Sequence, residues 1–262
     1  MMDGFIIVLV VIAVWWLWTL KKDYKQTADR LRMEIKSLES QLTDCLENNC
    51  SISNNEINFI FEKFVVVDVE TTGLKAATSN IIQIAIIVYE KRKQVAKIVE
   101  YINPGVPIPE DAIKVNNITN EKVASAHSFS HHAYNIEYWL TKYKVVGHNL
   151  RFDARMIEAE FQRINKDLQI NWGFCTMSGE TRRPDLDSRP TTFIKLIDLA
   201  QNLKLKKKGN LHDAYVDAEL TGRIAIKIAE KHLEKDVNSL KNSLYHKRFQ
   251  LDEIENYWLY RL

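Results

Sequence analysis

Asp68 and Glu70 stand two residues apart at the end of the apolar run Phe64-Val65-Val66-Val67. Positions i and i+2 of an extended strand leave the same face, so the two carboxylates point the same way. Neighbouring carboxylates repel, and an unpaired buried charge is costly. A divalent cation removes the repulsion, which makes this D-x-E pair a candidate metal site. Alone, the pair equally fits an acidic strand tip in solvent. Thr71-Thr72-Gly73 follows directly, with backbone amides and a tight turn next to the metal position. Asp153 closes the run Gly147-His148-Asn149-Leu150-Arg151-Phe152-Asp153, in the first turn of an expected helix. Asp217 lies in Leu211-His212-Asp213-Ala214-Tyr215-Val216-Asp217-Ala218, which opens another helix. Five helical residues turn the direction by about 500°, a net of about 140°. His212 and Asp217 therefore cannot share a helical face, and His212 must precede the helix and reach over the site from a loop. Asp213, four residues before Asp217, competes with it on the same face.

Positioning these side chains requires a sheet. Residues 64–67 and 81–88 are apolar at nearly consecutive positions, residues 95–101 form a third strand and Val145-Val146 a short one. Strands apolar on both faces imply a sheet covered by helices. Helical patterns over about 132–142, 152–164, 192–203 and 213–232 supply the cover, which predicts an α/β sandwich with an initial meander.

Taken together, the segments resemble the DnaQ-like 3′→5′ exonucleases of the DEDDh group, over roughly residues 62–230. The three motifs occur in order: D-x-E-T-T-G-L at 68–74, H-N-x-x-F-D at 148–153 and H-x4-D at 212–217. Between the first two, Ile102-Asn103-Pro104, Ile108-Pro109 and Ile118-Thr119 are similar to that family's stretch ending in a Gly-Ile-Thr element. The resemblance implies an α/β, ribonuclease H-like mixed sheet flanked by helices. It also implies a two-metal phosphodiesterase in which Asp68, Glu70, Asp153 and Asp217 hold two Mg²⁺ or Mn²⁺ ions. Asp217, not Asp213, occupies the motif position. His212 is implied as general base. Leu74, Asn149 and Phe152 would lie near the 3′-terminal nucleotide, beside Thr71 and Thr72. The implied substrate is the 3′ end of single-stranded nucleic acid, DNA favoured over RNA. The chain departs from the family at Asn116-Asn117, where His-Gly is frequent, and at Tyr215, which lies two residues before Asp217 and not four as in the tyrosine variant. The rival reading is a non-catalytic, membrane-tethered nucleic-acid-binding scaffold, against which stand all five motif residues.

The 262 residues, 46% hydrophobic and 27% charged, exclude collagen-like and wholly disordered chains. A net charge of +2 gives no global sign of polyanion binding, so any such affinity must be local. Lys204, Lys206, Lys207 and Lys208 form one basic stretch, either a phosphate contact or a solvated face. Arg151 and Arg155 flank Asp153, while His127, His131 and His132 read as surface histidines. Cys45, Cys50 and Cys175 are odd in number and lack zinc-ligand spacing, which speaks against a disulfide framework.

From Gly4 to Leu20 no residue is charged, and Trp15, Trp16 and Trp18 cluster beside Lys21-Lys22. At about 1.5 Å per residue this stretch covers roughly 25 Å. The expectation is a single-pass transmembrane anchor over residues 1–22 in the cytoplasmic membrane, with the domain facing the cytosol. Ala28, Leu31, Ile35, Leu38 and Leu42 recur at 3-4 spacing and predict a coiled-coil-like stalk helix over 23–47. Its seam, within 24–46, serves either a homodimer or a helix packed on its own chain. Residues 48–58 read as a polar linker, 59–232 as the exonuclease domain, and 233–262 as a helical extension, amphipathic through Val237, Leu240, Leu244, Leu251, Ile254, Trp258 and Leu262.

Overall fold

The computed structural model describes residues 2–48, 56–188, 192–209 and 212–259. Cys50, Leu211, Leu262 and residues 49–55 of the expected linker lie outside the described residues. The chain divides into two compact units, residues 55–231 and a second built from residues 1–54 with 232–262.

In the first unit, β1 (Lys63–Thr71), β2 (Ile81–Glu90), β3 (Lys93–Tyr101), β4 (Val145–Gly147) and β5 (Trp172–Cys175) form one five-stranded sheet in the order β3-β2-β1-β4-β5. The pairs β1/β2 and β2/β3 are antiparallel, whereas β4 runs parallel to β1 and β5 parallel to β4. The run of apolar residues in β1 is explained by cover on both faces. Val65, Val67 and Val69 enter a core shared with α4 (Phe129–Lys142) and α5 (Leu150–Arg163). Phe64 and Val66 pack instead with Ala214, Ala218 and Ala225 of α7 (Ala214–Leu259). The helix comes very close to the sheet at Gly222, where an added Cβ would stand 2.5 Å from the ring of Tyr89. Short helices α2 (Glu110–Asn116), α3 (Asn120–Val123) and α6 (Leu196–Asn202) complete the unit. The result is a mixed α/β sheet with flanking helices, as the sequence predicts.

In the second unit, α1 runs unbroken from Met2 to Asn48. The transmembrane anchor expected over residues 1–22 is not supported: among the described residues no helix is long and apolar enough to cross a membrane. The physical reason is length. The uncharged stretch rises about 25 Å against a hydrocarbon core of about 30 Å, and the helix continues without a break into Lys21, Lys22 and Asp23. The expected membrane partner and membrane location fall with it.

The stalk seam also finds an intramolecular use. Ala28, Leu31, Ile35 and Cys45 are buried, as are Val237 and Leu240 of α7. Ion pairs Arg32–Glu255 (2.7 Å), Glu34–Lys247 (2.6 Å) and Glu39–Arg248 (2.5 Å) join the two helices, with the end of α7 meeting the earlier part of the α1 seam. The two segments thus run antiparallel, and the structure lends no support to the homodimeric coiled coil expected within 24–46. Apart from Gly222, α7 contains neither Gly nor Pro, so the helix expected over 213–232 continues through the expected extension.

Candidate metal and nucleic-acid site

The carboxylates gather where the parallel strands β1 and β4 end, the usual place for a ligand in an open α/β sheet. Asp68 and Glu70 share the β1 face that carries Phe64 and Val66, the face covered by α7. The β1/β2 register shifts between Glu70 and Thr71, so the sheet is irregular beside the pair. Asp153 comes from the first turn of α5, which follows β4, and its Oδ1 accepts the Val69 N–H at 3.0 Å, between Asp68 and Glu70.

His212 lies two residues before α7, with φ at +61°, and is exposed. Its backbone N–H donates to Oδ2 of Asp217 at 3.1 Å. Ligand atoms of Glu70, His212 and Asp217 all lie within 4.8 Å of one another, the one such group among the described residues. Asp68 and Asp153 are not members of that trio but act on it through charge. Asp213, the competing acid, accepts the Tyr215 and Val216 N–H groups at its Oδ1, at 3.0 and 3.3 Å, and so caps the start of α7. Asp217 has a buried Oδ1 with no hydrogen-bond partner.

The electrostatics are those of a crowded anionic site. Desolvation, and then the charges of Asp153, Asp217, Glu70 and Asp213, hold the Asp68 carboxyl well above its usual range. Burial, followed by Asp217, Asp153 and Asp213, pushes Glu70 up to about 8. Burial likewise pushes Asp153 to about 8, against hydrogen bonds from the backbone. Burial raises Asp217 too, opposed by His212 and by the ammonium of Lys207. An unpaired carboxylate oxygen, amid oxygen donors that resist ionising together, fits hard divalent ions such as Mg²⁺ or Mn²⁺.

The expected substrate residues are placed unequally. Leu74 is 83% exposed on the loop after β1. The hydroxyls of Thr71 and Thr72 are spent within that loop: Thr71 donates to Gly73 O at 2.7 Å, and Thr72 accepts the Asn80 N–H at 2.9 Å. Asn149 precedes α5 in a left-handed conformation, and Phe152 packs partly against the core. Arg151 is buried and leaves its own helix to pair with Glu180 at 2.6 Å, while His148 bridges Thr176 Oγ1 at 3.0 Å and Ile194 O at 2.9 Å. The rings of His127 and His131 stack at 3.9 Å, but these histidines with His132 form no converging ligand group.

Three supports escaped the sequence. Gln83, buried opposite Glu70, accepts the Ala214 N–H at 3.1 Å and ties the start of α7 to the sheet. Glu160 on α5 accepts the Ile81 N–H at 3.0 Å, and its neighbour Arg163 donates to Ala76 O and Ser79 O at 2.6 and 2.8 Å. Asn116, one of the family departures, donates to Thr71 O at 3.3 Å and accepts from Ile118 N at 3.0 Å. Gln83 gave a signal as the polar residue inside Ile81-Ile82-Gln83-Ile84, and Asn116 gave one as a departure from the family pattern.

A mixed sheet with acids at the ends of its parallel strands and flanking helices defines the ribonuclease H-like exonuclease fold. The chain belongs to the exonuclease family, whose model matches residues 65–225. A short separate match, to a viral A-type inclusion protein repeat, covers residues 29–48. The chain is 27% identical over 209 residues to the PolC-type DNA polymerase III of Oceanobacillus iheyensis, covering 78% of this chain and 14% of that protein. It is 30% identical over 181 residues to the 3′-5′ exonuclease DinG of Bacillus subtilis, covering 69% and 19%. It thus spans less than a fifth of the length of either relative. In fold it is similar to E. coli exonuclease I in complex with a dT13 oligonucleotide, with a TM-score of 0.53, 20% identity and coverage of 72% and 46%. The nuclease domain of 3′hExo, a DEDDh family member bound to rAMP, gives a TM-score of 0.52 at 15% identity, covering 65% and 93%.

Proposed function

We propose that this chain hydrolyses phosphodiester bonds from the 3′ end of single-stranded nucleic acid, DNA in preference to RNA, within a domain spanning residues 59–232. The observation that carries this reading is the buried, unpartnered Oδ1 of Asp217 beside carboxylates whose ionisation is opposed by burial and mutual repulsion. Asp68, Glu70, Asp153 and Asp217 would hold two Mg²⁺ or Mn²⁺ ions. When bound, these ions supply a water of lowered pKa and charge neutralisation at the leaving oxygen.

The residues of the chain do the rest. His212, exposed at the mouth and with a ring nitrogen near Glu70 and Asp217, accepts the proton of the attacking water. Its backbone N–H holds Oδ2 of Asp217 and leaves Oδ1 without a hydrogen-bond partner. Leu74, exposed on the loop after β1, would press on the terminal base, with Asn149 and Phe152 contributing from the start of α5. Thr71 and Thr72 act through their backbone, since their hydroxyls brace the loop. The 3′-5′ exonuclease activity in the name of DinG and the dT13 oligonucleotide held by exonuclease I support this reading.

The test is a time course on 5′-labelled single-stranded DNA and RNA of one sequence, with Mg²⁺ or Mn²⁺. A descending ladder from the 3′ end, faster on DNA and absent for Asp217→Asn, is expected. Shortening from the 5′ end, or no hydrolysis with either ion, overturns the reading.

A further inference from the structure

We propose that Lys207 is a phosphate-binding residue, its ammonium taking one backbone phosphate of the substrate strand beside the carboxylate cluster. This rests on the nuclease reading above and adds to it a named cation and its ligand.

The loop that carries Lys207 is built. After α6, Leu203 and Leu205 turn inward against Ala200, Leu220 and Ile224. Lys204 takes a left-handed turn, with φ at +58°. Arg223, held by Glu219 at 2.9 Å, donates to Lys206 O at 2.8 Å. Gly209, with φ at +103°, lies so close to α7 that an added Cβ would meet Val216 Cγ2 at 2.9 Å. These contacts seat residues 203–209 on the first turns of α7, the turns that also carry Asp217.

The lysines of this loop differ. Lys204 and Lys206 are exposed, and Lys208 lies 4.0 Å from Glu219. Lys207 is half-buried and makes no ion pair among the described residues. It is also near enough to Asp217 to oppose the rise of that carboxyl. Asp68, Glu70, Asp153, Asp213 and Asp217 carry five negative charges when ionised, and two divalent ions return four. A strand bringing one charge per phosphate then needs a further cation at the site. A lysine, as a compact point charge on a flexible stem, meets a phosphate without demanding a bidentate fit.

The experiment compares the full chain with Lys207→Gln, Lys207→Arg and, as control, Lys142→Gln, a lysine of α4 bonded to Tyr138. The probe is a 5′-labelled single-stranded DNA oligonucleotide in Mg²⁺. Lys207→Gln should raise KM about tenfold with a much smaller change in kcat, and flatten the dependence of log kcat/KM on log salt by about 0.7. Lys207→Arg should recover most of the affinity, and the control should match the parent. An uncharged methylphosphonate placed singly along the last linkages should weaken the parent at one position and leave Lys207→Gln indifferent there. Hydrolysis by the parent with unchanged KM and salt slope in Lys207→Gln overturns the proposal and leaves the nuclease reading standing. If the parent does not hydrolyse, that reading fails on its own. Fluorescence anisotropy with the same oligonucleotide then decides: equal affinity of parent and Lys207→Gln overturns the phosphate site.

Discussion

Asp213 and Asp217 sit one helical turn apart, and their oxygens have different partners. Oδ1 of Asp213 is occupied by the Tyr215 and Val216 N–H groups, whereas Oδ1 of Asp217 has none. Asp217→Asn should therefore abolish turnover, while Asp213→Asn, which preserves an N-cap acceptor, should retain it. Asp213→Ala should lower stability by about 1 kcal/mol, read by chemical denaturation. Titration gives a second expectation. Glu70 and Asp153 are held at about 8 in the fold, above their unfolded values. A raised carboxyl contributes stability that is fully present below its unfolded pKa and lost as pH rises through the folded one. The metal-free protein should thus lose stability progressively between about pH 4 and pH 8. Adding Mg²⁺ should restore stability most at the alkaline end. A thermal midpoint independent of pH across that window would contradict the assignment.

The loop between β1 and β2 is held from outside by α5, the helix that also supplies Asp153. Glu160 accepts the Ile81 N–H, and Arg163 gathers two loop carbonyls. Glu160→Ala leaves a buried N–H unsatisfied and should cost about 1–3 kcal/mol. It should also raise KM more than it lowers kcat, because Leu74 rides on that loop. Such long-range supports explain what sequence could and could not disclose. Asp68, Glu70, Asp153, His212 and Asp217 were named through the order of the motifs and the family resemblance, and of these Glu70, His212 and Asp217 bring ligand atoms within 4.8 Å of one another; the apolar runs revealed a doubly covered sheet. Gln83 was visible as a misfit in its strand, but nothing local names Ala214, 131 residues away, as its partner. The seam of α1 was legible as a seam, yet its partner lies more than 200 residues along the chain. The uncharged N-terminal stretch resembles an anchor in composition, yet at about 25 Å it is shorter than a hydrocarbon core of about 30 Å and runs on in one helix into Lys21 and Lys22.

The division into residues 55–231 and residues 1–54 with 232–262 makes the two units separable by experiment. The sheet, its cores and the whole carboxylate cluster belong to the first unit. A fragment of residues 55–231 should fold cooperatively and keep the parent's kcat on short oligonucleotides, checked by circular dichroism and steady-state kinetics. Deleting residues 1–54 alone should instead uncover Val237 and Leu240 on α7. Limited proteolysis should then cut that helix beyond residue 232 while sparing the sheet. Rapid loss of the sheet in either fragment would show that the units do not fold independently.

The hydrogen bonds on Asp153 and Asp217 bear on denticity. Asp153 gives one oxygen to Val69 N–H, and Asp217 gives one to His212 N–H, so bidentate binding by either carboxylate must compete with a backbone amide. Two ligands biased in this way toward monodentate binding suit a small octahedral ion. They serve Ca²⁺ poorly, since that ion reaches six to eight oxygens by drawing on bidentate carboxylates. Ca²⁺ should therefore occupy the protein weakly, measured by isothermal titration against Mg²⁺ and Mn²⁺, and should sustain little hydrolysis. A backbone amide that fixes a side chain thereby also limits which cations the site can select.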